Sequence, residues 1–340
     1  MKYPEFLKDG GTIGFAAPSF GAAAEPYYSA FQNALKRFRA QGFRCVTGPN
    51  VYASDGVGIS STPENCGREL TECYCSPDSG VLLSVGGGEL MNETLEHVDF
   101  ERLRGARPKW FMGYSDNTHL GFLLPTLCDT ASLYAPCAPA FGMEPLHPAV
   151  EDAWQLLRGQ KLAFRSYDGW EKESLKSPEC PLAPYHITEE NVPVFRNWDG
   201  APLRGRLLGG CLDVLNNLAG TEFDRVPEFC ERYREDGIVW FLESCDLGMA
   251  DIRRALWHLE HAGWFRYAKG FLIGRPLHFG EVSFGIDRHE AVMSRLGSMG
   301  LPVLMDLDIG HLPPMLPLMC GALAEITPAP HGIGIRYILQ

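Results

Sequence analysis

Two corners of this chain carry residues whose order could build a reactive serine. Gly113-Tyr114-Ser115-Asp116 follows the apolar run Lys109-Trp110-Phe111-Met112 and precedes a helical pattern over residues 117–127. A serine at a strand-to-helix corner has its hydroxyl lifted clear of the sheet, and the next amide lies at a helix N-terminus, where it can stabilise an oxyanion. The order is G-Y-S-D and not G-x-S-x-G, so an ordinary α/β-hydrolase is not indicated. The same residues also fit a plain helix start, with Ser115 as N-cap and Asp116 complementing the dipole. The second corner is Gly86-Gly87-Gly88, which ends the run Val81-Leu82-Leu83-Ser84-Val85. Its glycines could turn amides toward an anion or simply permit a tight backbone. They lack both the G-x-G-x-x-G order and the P-loop lysine.

A serine nucleophile needs a base within hydrogen-bond reach, and that base needs an orienting carboxylate. Of the ten histidines, His311 is the best base, because Asp308-Ile309-Gly310-His311-Leu312-Pro313-Pro314 holds it in a Gly/Pro-rich loop after a strand. Glu243 is the best carboxylate. It ends the strand-like run Ile238-Val239-Trp240-Phe241-Leu242, where an acid is costly to bury unless paired. Either residue taken alone could equally be solvated. No metal centre is expected: Cys73-Tyr74-Cys75 has no matching pair, and His258, Glu260 and His261 lack both the HExxH order and a third ligand.

These residues must be positioned by alternating strands and helices. A strand is expected at Thr12-Ile13-Gly14-Phe15-Ala16, then a helix over 28–41, a strand at 43–46, a helix over 65–74, and strands at 80–85 and 109–114. Strands apolar on both faces and separated by helices predict a parallel sheet covered on both sides. Ligand sites of such sheets lie at the carboxyl ends of the strands, where Ser115 and the glycine turn stand. After residue 200 the expected elements are shorter: strands at 203–208, 238–242, 270–273 and 302–305, helices over 212–218 and 249–261, and a terminal pair of strands at 322–326 and 334–338. The fold class is therefore α/β. A flavodoxin- or Rossmann-like domain over 1–166 carries the serine, and a smaller, strand-rich mixed α/β domain over 201–340 carries Glu243 and His311. Residues 167–200 have no clear period and read as a linker or lid, with Trp170 and Trp198 as candidates to stack on a substrate ring. Ordinary packing of the two indoles fits as well.

Composition narrows the partners. The 340 residues hold 42 acidic and 30 basic side chains, a net charge of −12, so no electrostatic footprint for a nucleic-acid polymer exists. The apolar runs are far shorter than the roughly 20 residues that cross a bilayer, and Met1 to Gly10 shows no apolar signal core. A cytoplasmic protein with its eleven cysteines reduced is expected.

In order along the chain, Thr12-Ile13-Gly14-Phe15-Ala16-Ala17-Pro18-Ser19, the glycine turn, Phe111-Met112-Gly113-Tyr114-Ser115-Asp116, Gly205-Arg206-Leu207-Leu208-Gly209-Gly210, Phe241-Leu242-Glu243 and Gly310-His311 resemble the LD-carboxypeptidase and microcin C immunity family of serine peptidases. The resemblance covers nearly the whole chain. It implies a triad of Ser115 as nucleophile, His311 as general base and Glu243 as its orienter, with an oxyanion hole from the Asp116 amide and that of Gly87 or Gly88. It also implies a homodimer and no cofactor. One branch of the family removes D-alanine from murein tetrapeptides; the other cleaves an aminoacyl or peptidyl group from a nucleotide-like sulfamate or phosphoramidate. The irregular 167–200 segment and Gly263-Trp264-Phe265 followed by Gly270-Phe271-Leu272-Ile273-Gly274-Arg275-Pro276 resemble the immunity branch more. The chain departs from the family pattern at Cys211, where Gly-Gly-Asn-Leu is usual, at Met319 ahead of Gly321, and at Ser244-Cys245-Asp246, where an acidic continuation is usual.

The expectation is a serine peptidase acting on a small peptide-like or aminoacyl-nucleotide substrate. Two other classes compete: a binding protein that holds such a ligand without cleaving it, and a nucleotide-dependent oxidoreductase resting only on the sheet and the glycines.

Overall fold

The fold is described from a computed structural model over residues 1–56 and 58–339. Its two main sheets are each built around short, fully buried strands. In the first, the spatial order is Leu318–Cys320, Ser132–Tyr134, Trp110–Gly113, Val81–Ser84, Thr12–Ala16 and Arg44–Thr47. All neighbours are parallel except Leu318–Cys320, which runs antiparallel to Ser132–Tyr134. The second sheet runs Ala163–Arg165, Gly332–Ile338, Leu323–Ala329, Leu203–Cys211, Ile238–Glu243, Ala268–Gly274, Val303–Leu307 and Val194–Arg196. Its four central strands, Leu203–Cys211 to Val303–Leu307, are parallel and its outer pairings antiparallel. The expected parallel α/β sheet and mixed, strand-rich second sheet are both present.

Sheet membership does not follow the sequence border drawn at residues 166 and 201. Leu318–Cys320 joins the first sheet from the C-terminal part, while Ala163–Arg165 and Val194–Arg196 join the second. Three-residue strands of this kind carry too few side chains to show a period, and their place is set by the register of longer neighbours. Residues 167–200 are also more structured than a bare linker. Gly169–Trp170 pairs with Glu189–Glu190, and the irregular stretch between them folds back over the first sheet's carboxyl ends.

One helix joins the two layers. Thr118–Cys128 is buried around nearly its whole circumference, which marks a helix enclosed by protein on all sides. Phe122 stacks on Trp264, which in turn stacks on Trp240 of the second sheet. At its N-terminal end, Thr118 Oγ1 accepts the Cys211 N–H at 3.1 Å. Gly210 makes this approach possible, since a Cβ there would lie 2.4 Å from Thr118 Cγ2 and its φ is +151°. The helix that begins at the serine corner is thus seated directly on the strand beside Glu243.

Candidate active site

Ser115 follows the strand Trp110–Gly113 and opens a tight helical turn, Ser115–Asn117. Its φ is +63°, a left-handed conformation that a non-glycine residue holds at a cost of about 1–3 kcal/mol and that clusters at functional sites. Asn117 locks the corner: its Nδ2 donates to Gly86 O at 2.7 Å and to Tyr114 O at 3.1 Å, tying the serine turn to the glycine turn. Gly87 lies against the serine so closely that a Cβ on it would be 3.1 Å from Ser115 Oγ. The Asp116 amide sits at the start of the helical turn, where no preceding carbonyl can reach it. Its carboxylate faces the other way, accepting from Ser19 Oγ, from Met91 N at 2.9 Å and from His119 Nδ1 at 3.0 Å. Burial opposes that charge, but the His119, Ser19 and Met91 contacts hold the Asp116 pKa below its ordinary value.

The second sheet brings the other two residues. Glu243 closes the strand Ile238–Glu243 and is 2% exposed. His311 stands in the loop after Val303–Leu307. Ser115 Oγ donates to His311 Nε2 at 2.9 Å, and His311 Nδ1 donates to Glu243 Oε2 at 2.8 Å. The remaining Glu243 oxygen accepts the Tyr134 hydroxyl, so the buried carboxylate has a donor on each oxygen. Gly310 permits the pairing, because its φ is +100° and a Cβ there would meet Glu243 Oε2 at 2.4 Å. Burial alone would depress the His311 pKa. The Glu243 charge, with hydrogen bonds to Cys245 and Glu243, outweighs it and raises the pKa well above the ordinary value. The arrangement can move the serine proton to the imidazole and stabilise the imidazolium that forms.

The His311 loop is held from behind. Arg275 and Asp308, both fully buried, pair at 2.7 Å. Asp308 also accepts Tyr167 N at 3.0 Å and Asn191 Nδ2, one from each end of the 167–200 segment. Glu171 N donates to Pro313 O at 2.7 Å, two residues past the histidine. The segment is therefore anchored to the same loop that presents the base.

The serine opens onto a cleft of about 1370 Å³ whose walls include Phe20, Tyr27, Tyr114, Lys176, Tyr185 and His311. Neither tryptophan singled out from the sequence lines it. Trp170 is buried, packed on Phe279 at 4.8 Å with the Arg275 guanidinium 5.3 Å above its ring, and Trp198 packs on Phe195 and donates to Ala201 O. Aromatic character alone did not say which ring faces solvent; a buried guanidinium claimed Trp170. The segment contributes Tyr185 and Lys176 to the cleft instead. Tyr134 and Asn117 were also missed, because their role rests on contacts across the sheet rather than on local pattern. The Gly before His311 was the one local signal for the close approach to Glu243. His258 and His261 are engaged with Asn216 and the Trp257 carbonyl, and Glu260 with Arg295.

The LD-carboxypeptidase N-terminal domain model matches residues 13–135, and the C-terminal domain model matches residues 204–326. The chain belongs to the LD-carboxypeptidase family. The family's two domain regions together contain Ser115 and Glu243 and His311. Among its relatives, the microcin C7 self-immunity protein MccF of Escherichia coli is 26% identical over 329 residues, spanning 94% of this chain and 91% of MccF. The fold resembles that of an MccF-like protein from Bacillus anthracis, with a TM-score of 0.83 at 22% identity and full coverage of both chains. It equally resembles MccF in complex with glutamyl sulfamoyl guanosine, with a TM-score of 0.81 at 23% identity over 99% of this chain and 98% of the other. As in any carboxypeptidase-family fold compared at this distance, architecture is shared and the pocket residues are this chain's own. Among the described residues, no helix is long and apolar enough to cross a membrane.

Proposed function

We propose that this chain is a serine peptidase that hydrolyses the amide joining an aminoacyl or peptidyl group to a nucleotide-like leaving group. The observation that carries the reading is the unbroken chain Ser115 Oγ, His311 Nε2, His311 Nδ1, Glu243 Oε2, at 2.9 and 2.8 Å. His311 takes the proton as Ser115 Oγ bonds to the carbonyl carbon, and Glu243 holds the imidazole tautomer. The oxyanion is met by the Asp116 amide and that of Gly87 or Gly88. As the tetrahedral intermediate collapses, the C–N bond breaks and His311 gives its proton to the departing nitrogen. Water then attacks the ester, its proton passing to His311 and on to Ser115 Oγ as the acid is released.

The size of the cleft supports a large leaving group, since about 1370 Å³ exceeds the roughly 300–1,000 Å³ of ordinary small-molecule sites. Tyr27, Tyr114 and Tyr185 offer ring faces, and stacking on a base contributes about 1–3 kcal/mol. MccF itself has been seen with glutamyl sulfamoyl guanosine. A second reading, release of a terminal D-alanine from a murein tetrapeptide, is favoured by Lys176. Its ammonium lines the cleft without an ion-pair partner among the described residues, and burial lowers its pKa, so an anionic terminus would suit it.

The two are separated by offering an aminoacyl sulfamoyl adenylate and a murein tetrapeptide side by side and following products by mass spectrometry. Cleavage of the adenylate alone supports the first reading, and cleavage of the tetrapeptide alone supports the second. The Ser115→Ala protein is expected to lose about 10⁴ in kcat or more on the accepted substrate, with no acyl-enzyme detected. Undiminished turnover by that variant would overturn the serine mechanism.

A further inference from the structure

Ser115 borders a second, smaller chamber of about 460 Å³, on the side away from His311. The base lines the large cleft and not this chamber. Because His311 must deliver its proton to the leaving nitrogen, the large cleft takes the leaving group and the small chamber takes the acyl residue. Its walls include Glu89, Asp116, Asp213, Asp246, His119 and Cys245, with no Lys or Arg among the described residues.

The four carboxylates are not equivalent. Asp116 is satisfied by Ser19, Met91 and His119, and Asp213 accepts the amides of Cys245, Asp246 and Leu247 at 3.1, 2.8 and 3.1 Å. Glu89 and Asp246 have no hydrogen bond or ion pair from a side chain among the described residues. The Glu89 pKa is raised, first by partial burial and then by the Asp246, Asp116 and Asp213 charges. A separate observation points to a ligand here. His119 is 3% exposed, and its Nδ1 faces the Asp116 carbonyl and carboxylate oxygens at 2.8 and 3.0 Å. That ring nitrogen therefore carries the hydrogen. Its Nε2, on a residue that lines the chamber, is buried with no partner, and in the neutral ring it is an acceptor.

We propose that this chamber receives the acyl residue of the substrate and selects one with a cationic side chain, in addition to its α-ammonium. Two unpartnered carboxylates and a buried acceptor call for more N–H donors than an α-ammonium alone brings. A carboxylate side chain would instead enter a site that already repels negative charge. The inference rests on the peptidase reading above and deepens it to a substrate class, an acyl residue of the diamino-acid type.

The test uses lysyl, glutaminyl and glutamyl forms on two leaving groups, sulfamoyl adenosine and D-alanine. kcat/KM is measured with the parent, and Kd by calorimetry with Ser115→Ala. The expected order is lysyl, then glutaminyl, then glutamyl, with lysyl ahead of glutamyl by about tenfold or more at low salt and less at high salt. The double variant Glu89→Gln/Asp246→Asn, at two exposed positions, should bring the three compounds within about twofold of one another. Equal or preferred use of the glutamyl compound, a preference that survives in the double variant, or no binding of any compound would overturn the proposal. Binding in the expected order without cleavage would uphold the chamber's charge selection and sink the peptidase reading alone.

Discussion

Tyr134 and His311 grip opposite oxygens of the same buried carboxylate: the phenol donates to Glu243 Oε1 and the imidazole to Oε2. Tyr134 comes from the first sheet and Glu243 from the second, so this contact is also a bolt between the layers. The nearest amide, Ser115 N, reaches the same phenol oxygen at 3.5 Å.

Replacing Tyr134 by Phe should therefore affect both stability and rate. It leaves one buried carboxylate oxygen without its donor, a cost of about 1–3 kcal/mol. kcat is expected to fall about 10- to 100-fold with KM nearly unchanged, because the imidazole is held less firmly while the cleft walls stay in place. Denaturant titration and steady-state kinetics check the two effects, and an unaltered kcat would remove Tyr134 from the machinery.

At Gly310 the expected outcome is harsher. Gly310→Ala places a methyl 2.4 Å from Glu243 Oε2 in a backbone conformation that side chains rarely adopt. The carboxylate or the loop must move, and activity should drop by about 10³ or more, comparable with loss of the orienting acid. Gly105→Ala, where nothing lies within 4 Å, is the matched control and should behave as the parent.

The pH dependence follows from the raised His311 pKa. Catalysis needs the neutral imidazole, so the ascending limb of kcat/KM should lie above the pH of about 6.5 typical of an unperturbed histidine. Glu243→Gln removes the charge that raises it, leaving burial to act, and the limb should move to lower pH as the plateau falls. For stability the sign is opposite to that of activity. A raised folded-state pKa contributes stability that is fully present below the unfolded value and is lost as pH rises through the folded one. Thermal melts from mildly acidic to alkaline pH, compared between the parent and His311→Gln, would show this slope in the parent only.

Asp308→Ala should unfold the protein more readily than any change in the cleft. It strands the Arg275 guanidinium, which is fully buried, and breaking such a pair costs about 3–5 kcal/mol. It also frees Tyr167 and Asn191, the two anchors of the 167–200 segment. Besides a lower denaturation midpoint, faster proteolysis within that segment is expected. Unchanged cleavage there would show that the anchors do not depend on Asp308.

How much of this was legible beforehand depended on whether a signal was local. Apolar runs ending in glycine, serine or glutamate marked the strand ends Val81–Ser84, Trp110–Gly113 and Ile238–Glu243, because a strand buried on both faces must be apolar throughout. Ser115, Glu243 and His311 stood out by residue type at those ends, and the order of motifs carried the family. What only the tertiary structure decided is which of these ends meet. The 2.9 Å contact between residues 196 positions apart exists because the Thr118–Cys128 helix seats on Gly210, a distance that no local pattern encodes. Tyr134 lay in a three-residue strand too short to show a period, and Trp170 was drawn into the interior by Phe279 and Arg275 rather than left over the cleft. The sequence by itself determined the elements and the chemistry they could present. Packing between the two sheets decided the geometry, since burying the carboxylate of Glu243 required donors from both layers.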